Sequence, residues 1–95
     1  MSQYEIEYGE LFALIGWDRP LQYYFVVVWR GDPDDYPVYS NLDDTKNDGS
    51  LDYQLGVLER YGIGLPPEVK MRLENDRISN TGNFKMRVKG VQPWT

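Results

Sequence analysis

The run Gln22-Tyr23-Tyr24-Phe25-Val26-Val27-Val28-Trp29 constrains this chain more than any other stretch. β-branched and aromatic residues follow one another, with apolar side chains on both faces of the strand they form, which is the pattern of a central strand. Tyr23, Phe25 and Trp29 share one of those faces and are expected in the core, with Phe84 nearby.

Upstream, Tyr4-Glu5-Ile6-Glu7-Tyr8 alternates apolar with acidic at the period of a strand, and residues 10–15 continue apolar after Gly9, where a bulge or break is expected. A hairpin onto the central strand follows, with its turn near Trp17-Asp18-Arg19-Pro20. Leu11, Phe12, Leu14 and Ile15 equally fit one face of a short helix. Downstream, Gly31-Asp32-Pro33-Asp34-Asp35 makes a solvated turn, and Pro37-Val38-Tyr39-Ser40-Asn41 reads as a third, antiparallel strand.

Two helices come next. Ser50 or Asp48 caps the first, in which Leu51, Leu55 and Leu58 recur at helical spacing before Gly62 ends it. Pro66-Pro67 opens the second, which runs to about Asp76 with Val69 and Leu73 inward. After a turn at Asn80-Thr81-Gly82-Asn83, Phe84-Lys85-Met86-Arg87-Val88-Lys89 alternates apolar with basic as a last strand. The whole predicts an α+β fold as a single domain over residues 1–95: an antiparallel sheet of three to five strands, with a two-helix hairpin packed on one face, in the order β-β-β-α-α-β. At 41% hydrophobic and 26% charged residues, the composition is that of a globular chain rather than a disordered one.

Several function classes find no residues to carry them. The chain has no cysteine and no histidine, which removes thiolate metal sites, disulfides, cysteine nucleophiles and histidine base catalysis. The longest apolar run falls well short of the roughly 18–20 residues that span a bilayer. The first residues carry acids where a signal peptide needs bases, so a cytoplasmic location is expected. Gly62-Ile63-Gly64 precedes Leu65-Pro66, and a proline without an N–H group cannot help to cradle a phosphate. No cofactor is expected.

The loop from Asp44 to Asp52 approaches a calcium-binding loop: Asp44, Asp48, Gly49, Leu51 and Asp52 fit the required positions. Lys46 occupies a ligand position, however, and Leu55 stands where a bidentate carboxylate is needed, so the stretch reads as a polar loop that Ser50 caps. Acid pairs at Asp32, Asp34, Asp35 and at Asp43, Asp44 raise a carboxylate-dependent enzyme as one possibility. General acid catalysis needs a carboxyl raised by an apolar pocket, and these acids lie among Pro, Gly and Asn in loops.

Net charge is -5, split unevenly: residues 1–59 hold 12 acids and three bases, residues 60–95 three acids and seven bases. Two binding surfaces follow. The first is acidic and aromatic, built from Asp32, Asp34, Asp35, Tyr36, Tyr39, Asp43, Asp44 and Tyr53, and suits another protein with a basic patch; tyrosine and tryptophan at turns and ends, including Trp17 and Trp94, are interface residue types and also stack on sugars. The second is basic, from Lys70, Arg72, Arg77, Lys85, Arg87 and Lys89, and suits nucleic acid. The helix pair has the length of a helix-turn-helix, but Glu68, Lys70, Arg72, Glu74 and Asn75 are mixed in sign. The same lysines serve equally to guard an edge strand or to balance Glu5 and Glu7 across the sheet. An unpaired edge can also pair with a second copy. The expected function is a non-catalytic protein-binding or regulatory module acting through the acidic surface, with nucleic-acid binding through the last strand as the alternative.

Overall fold

A computed structural model describes residues 1–93; Trp94 lies outside them. Five strands form one sheet: β1 (Ser2–Tyr8), β2 (Leu11–Asp18), β3 (Tyr23–Arg30), β4 (Tyr39–Ser40) and β5 (Phe84–Lys89), in the spatial order β4-β3-β2-β1-β5. Helices α1 (Leu51–Arg60) and α2 (Pro67–Ile78) lie between β4 and β5 in the chain, so the fold is α+β with the order β-β-β-β-α-α-β. Among the described residues no helix is long and apolar enough to cross a membrane.

The break expected at Gly9 is a full reversal. Gly9 sits at φ +59 and, with Glu10, joins Tyr8 to its partner Leu11, so residues 4–15 supply two antiparallel strands rather than one bulged strand or a helix. Glycine first in a two-residue loop gives the twist that matches the flanking strands. The next turn falls where expected: the Gln22 N–H donates to the Asp18 carbonyl at 2.7 Å and the Leu21 N–H to the Asp18 carboxylate at 3.1 Å.

All pairings are antiparallel except one. β5 runs parallel to β1, from Ser2 opposite Phe84 to Glu7 opposite Lys89. A parallel neighbour needs a long crossover connection, which the two helices provide as they carry the chain from the β4 edge to the far side of β1.

Both helices are punctuated by their own sequence. The Ser50 hydroxyl accepts the Tyr53 N–H at 3.1 Å, and α1 ends with Gly62 at φ +74, its N–H on Glu59 and the Ile63 N–H on Leu58. This is the paired C-terminal pattern that spends no Cβ in the left-handed region. α2 ends the same way with Asn80 at φ +51, and there the Thr81 N–H bonds the Asp76 carbonyl at 2.8 Å.

The core lies between the helices and one face of the sheet. Tyr4 and Ile6 of β1, Ala13, Ile15 and Trp17 of β2, and Tyr24, Val26 and Val28 of β3 pack with Val57, Leu58, Ile63, Val69 and Leu73. The face chosen on β3 is the opposite of the expected one. Tyr23, Phe25, Val27 and Trp29 point away from the helices, although Phe25 is buried as expected, and Phe84 is 40% exposed at the sheet edge, 5.8 Å from the Tyr4 ring. The parity follows from register: Val26 stands opposite Ile15 and Tyr24 opposite Trp17, and β2 in turn is set by the clear alternation of β1.

Three core aromatics carry their polar ends to α2. The Tyr4 hydroxyl donates to Asp76 at 2.7 Å, the Tyr24 hydroxyl to the Leu73 carbonyl at 2.7 Å, and the Trp17 indole N–H to Asn80 at 3.2 Å. Gly16 occupies a tight crossing: a Cβ there would run into the Ser2 carbonyl and the Phe25 ring, whereas Gly56 in α1 has open space. We therefore expect Gly16→Ala to destabilise the fold by about 1–3 kcal/mol or more through overpacking. Gly56→Ala should stabilise it by about 1 kcal/mol through helix propensity. Urea unfolding of the two variants checks the pair of signs.

Candidate functional site

Because both helices lie on one side, the other face of the sheet is uncovered and graded in character. β2 and β3 contribute Phe12, Leu14, Phe25, Val27, Trp29 and Tyr23; β1 contributes Gln3, Glu5 and Glu7; β5 contributes Lys85, Arg87 and Lys89. The apolar members cover one another in part. The Phe12 and Trp29 rings stand 5.7 Å apart and tilted, and Phe25 lies against Gly16, yet Phe12, Leu14, Val27 and Trp29 stay only half-buried.

The acidic turn after β3 borders this face. Gly31 at φ +90 donates its N–H to the Glu10 carbonyl at 2.8 Å, tying the turn to the β1–β2 loop. Asp32 then accepts the Asp34 N–H on its carboxylate at 2.9 Å and the Asp35 N–H on its carbonyl at 3.0 Å. Asp32, Asp34 and Asp35 are exposed, and the Tyr36 side chain is 96% exposed. A shallow depression joins the turn to the aromatic stripe, lined by Glu7, Glu10, Phe12, Gly31, Pro33 and Arg87.

Of the other expected acidic-surface residues, Asp43 is exposed at the end of a short 3-10 turn, but Tyr39, Asp44 and Tyr53 are turned toward one another. Both phenols donate to the same Asp44 oxygen at 2.7 Å. Asn47 donates to the Tyr39 hydroxyl at 3.1 Å and exchanges two hydrogen bonds with the buried Gln54, at 2.7 and 2.8 Å. Arg60 stands over the Tyr39 ring at 5.5 Å. The group is a clamp that fixes the 41–50 loop between β4 and α1. Burial and the Asp44 hydrogen bond push the Tyr39 phenol up to about 12. Those same phenols hold the Asp44 carboxyl below the usual carboxylate range. In the stretch likened to a calcium loop, Asp48 accepts the Ser50 N–H at 2.9 Å and Asp44 the Lys46 N–H at 3.0 Å. Among the described residues no three acids come together as a metal-binding group.

The six bases fall on two sides of the molecule. Lys70, Arg72 and Arg77 belong to α2, where Arg72 pairs with Glu68 at 3.5 Å. Lys85, Arg87 and Lys89 project from the uncovered sheet face. There Arg87 grips Glu5 at 2.6 Å and Glu7 at 3.1 Å, Lys85 reaches Glu5 at 3.4 Å, and the Arg87 guanidinium lies 5.9 Å from the Phe12 ring centre. The Arg87 hydrogen bond in turn lowers the Glu5 pKa. Among the described residues, the carboxylates with a displaced pKa, Glu5, Asp44 and Asp48, are all held down.

Sequence reasoning located the acidic turn and the basic strand but missed Phe12, Leu14, Val27 and Trp29 as surface. The parity of β1 and β5, whose acids and bases must face solvent, carried the signal. Propagating it through β2 fixes which face of β3 lies inward.

The Asp44 clamp generates a pH prediction. A lowered carboxyl pKa stabilises above the ordinary carboxylate range, and that contribution is lost as pH falls through it. A raised phenol pKa stabilises below about 10, and that contribution is lost as pH rises toward 12. Asp44→Asn should flatten both flanks of the stability-pH curve and return the Tyr39 phenol toward about 10, read by urea unfolding and phenolate absorbance. No family model, curated protein or solved structure matches this chain, so its function has to be argued from its surfaces.

Proposed function

We propose that this chain is a non-catalytic protein-binding module of the cytoplasm. Its contact face is the uncovered aromatic stripe together with the acidic turn beside it. The single observation that carries the reading is the half-buried row of Phe12, Leu14, Val27 and Trp29 on a sheet face without helices, bordered by Glu7, Glu10, Asp32, Asp34 and Asp35. Contiguous apolar surface with a charged rim is what protein interfaces are made of, and large aromatics at the centre are their usual energetic anchors. The partner accordingly offers an apolar patch flanked by lysine or arginine. The acids steer its approach and set the association rate more than the affinity. Tyr36, fully exposed beside the three acids, adds a rigid amphipathic side chain to the rim.

A second reading rests on Lys85, Arg87 and Lys89 sharing the aromatic face, since bases beside exposed rings also suit single-stranded nucleic acid. Arg87 is already committed to Glu5 and Glu7, and acids outnumber bases around the face, which favours a protein partner.

Affinity capture with the intact chain, with and without nuclease, tests the two. Phe12→Ser with Trp29→Ser should weaken the protein complex about thirtyfold or more while leaving the circular dichroism spectrum unchanged. Asp32→Asn with Asp34→Asn and Asp35→Asn should slow association about tenfold at low salt and flatten its ionic-strength dependence. A captured protein indifferent to both sets overturns the proposal. Recovery of nucleic acid whose binding falls with Arg87→Gln transfers the assignment to the second reading.

A further inference from the structure

The two edges of the sheet are finished differently. On the β3 side, β4 pairs with Val27 and Val28, the Val38 N–H bonds the Val28 carbonyl at 2.8 Å, and the Tyr24 N–H reaches the Gly49 carbonyl at 2.9 Å. That edge is thus covered at Tyr24 and at Val27 and Val28. On the β5 side the pairing with β1 uses alternate residues: the Phe84 N–H bonds Met1 and the Gly90 N–H bonds Glu7 at 2.8 Å, which sets the backbone groups of Phe84, Met86 and Val88 toward β1. The N–H and C=O groups of Lys85, Arg87 and Lys89 therefore point outward. Beyond them the chain itself shows the edge in use, because Val91 forms an antiparallel bridge with Gly64 before Pro66 leads away into α2. β5 is also the most exposed strand, with Phe84, Lys85, Arg87 and Lys89 all open to solvent and Met86 and Val88 half-covered.

We propose that the free edge of β5 takes an extended peptide segment with acidic residues at every second position, added antiparallel as a further strand. Main-chain hydrogen bonds to the outward groups of Lys85, Arg87 and Lys89 supply the attachment, and the alternating side chains supply the selection. The acids of the segment fall on the uncovered face beside the three bases; its intervening apolar residues fall beside Phe84, Met86 and Val88. β1 already realises this pattern on the other side of β5, with Glu5 and Glu7 opposite Arg87 and Lys89, and Tyr4 and Ile6 opposite Met86 and Val88. Those two acids do not exhaust the three bases: among the described residues Lys89 takes part in no ion pair. The same charges disfavour a second copy, since antiparallel pairing of β5 with itself sets Arg87 opposite Arg87 and Lys85 opposite Lys89.

Amide hydrogen exchange of the whole chain by NMR, with a synthetic heptapeptide alternating valine and glutamate, tests this directly. Exchange of the Lys85, Arg87 and Lys89 amides should slow about tenfold or more near saturation, while the Met86 and Val88 amides, already bonded to β1, stay unchanged. Lys85→Gln with Lys89→Gln should weaken the peptide about tenfold without altering the folded spectrum. Three results overturn the proposal: no protection at those amides, equal protection by a peptide with lysine in place of glutamate, or protection in the free chain that grows with its concentration.

Discussion

Both helices lie on the same face of the five-stranded sheet, and most of what distinguishes this molecule follows from that arrangement. The covered face collects the residues that have no other place to go, from Tyr4 and Ile6 to Val26 and Val28, and among the described residues it leaves no buried side-chain polar atom unpartnered. It does so by using aromatics whose tips can hydrogen-bond: Tyr4, Trp17 and Tyr24 each fill apolar space with a ring, Tyr4 and Tyr24 ending on the C-terminal half of α2 and Trp17 on Asn80 just beyond it. α2 is otherwise a weakly amphipathic helix with only Val69 and Leu73 as buried apolar residues. The hydrogen bonds to Leu73 and Asp76 therefore add to burial in holding it.

The uncovered face is held open by the same economy. Asn80 shows how tightly the parts are linked: it adopts the left-handed conformation that ends α2, accepts the Trp17 indole N–H, and accepts the Gln22 side chain at 2.7 Å. Gln22 is itself in the left-handed region, at φ 57, at the turn that sets the β2–β3 register. One asparagine thus couples the end of a helix to the turn that decides which side of β3 faces solvent. The Asp44 clamp performs a comparable service for the 41–50 loop, which covers part of the β3 edge through Gly49.

These couplings explain which parts of the fold were legible in the sequence. Elements whose residues announce a single environment were read correctly: Ser50 as a cap, Gly62 as a stop, Pro66-Pro67 as a start, and β5 from its strict apolar-basic alternation. β3 announces nothing of the kind, because it is apolar at every position from Tyr23 to Trp29 and either parity satisfies its composition. Aromatic size suggested Tyr23, Phe25 and Trp29 as core, and of these Phe25 alone is buried, on the face away from the helices. Register won instead, since the burial of Tyr4 and Ile6 fixes Ile15 and Ala13, which fix Val26 and Val28. The parallel placement of β5 likewise lies beyond local pattern, being a property of how far the helix pair carries the chain. In the acidic stretch, composition marked Tyr39, Asp44 and Tyr53 as surface because nothing local reveals that two phenols converge on one carboxylate.

The uneven charge of the chain acquires a structural meaning in the same way. The acid-rich first part and the base-rich last part meet where β1 lies beside β5, and Arg87 joins residues 80 and 82 positions away in sequence. Exposed pairs of this kind contribute little to stability, about 0–1 kcal/mol each. Their larger effect is on pairing: a strand with acids at alternate positions matches β5, and one with bases there is repelled. What selects the correct neighbour during folding also filters what approaches the finished edge. The acids of the 31–36 turn follow β3, and the depression that Gly31 and Pro33 share with Glu7 and Arg87 brings that turn up to the basic strand. A single polypeptide of modest charge thus sets an acidic turn and a basic strand beside one sheet face, with Arg87 already paired to the acids of β1.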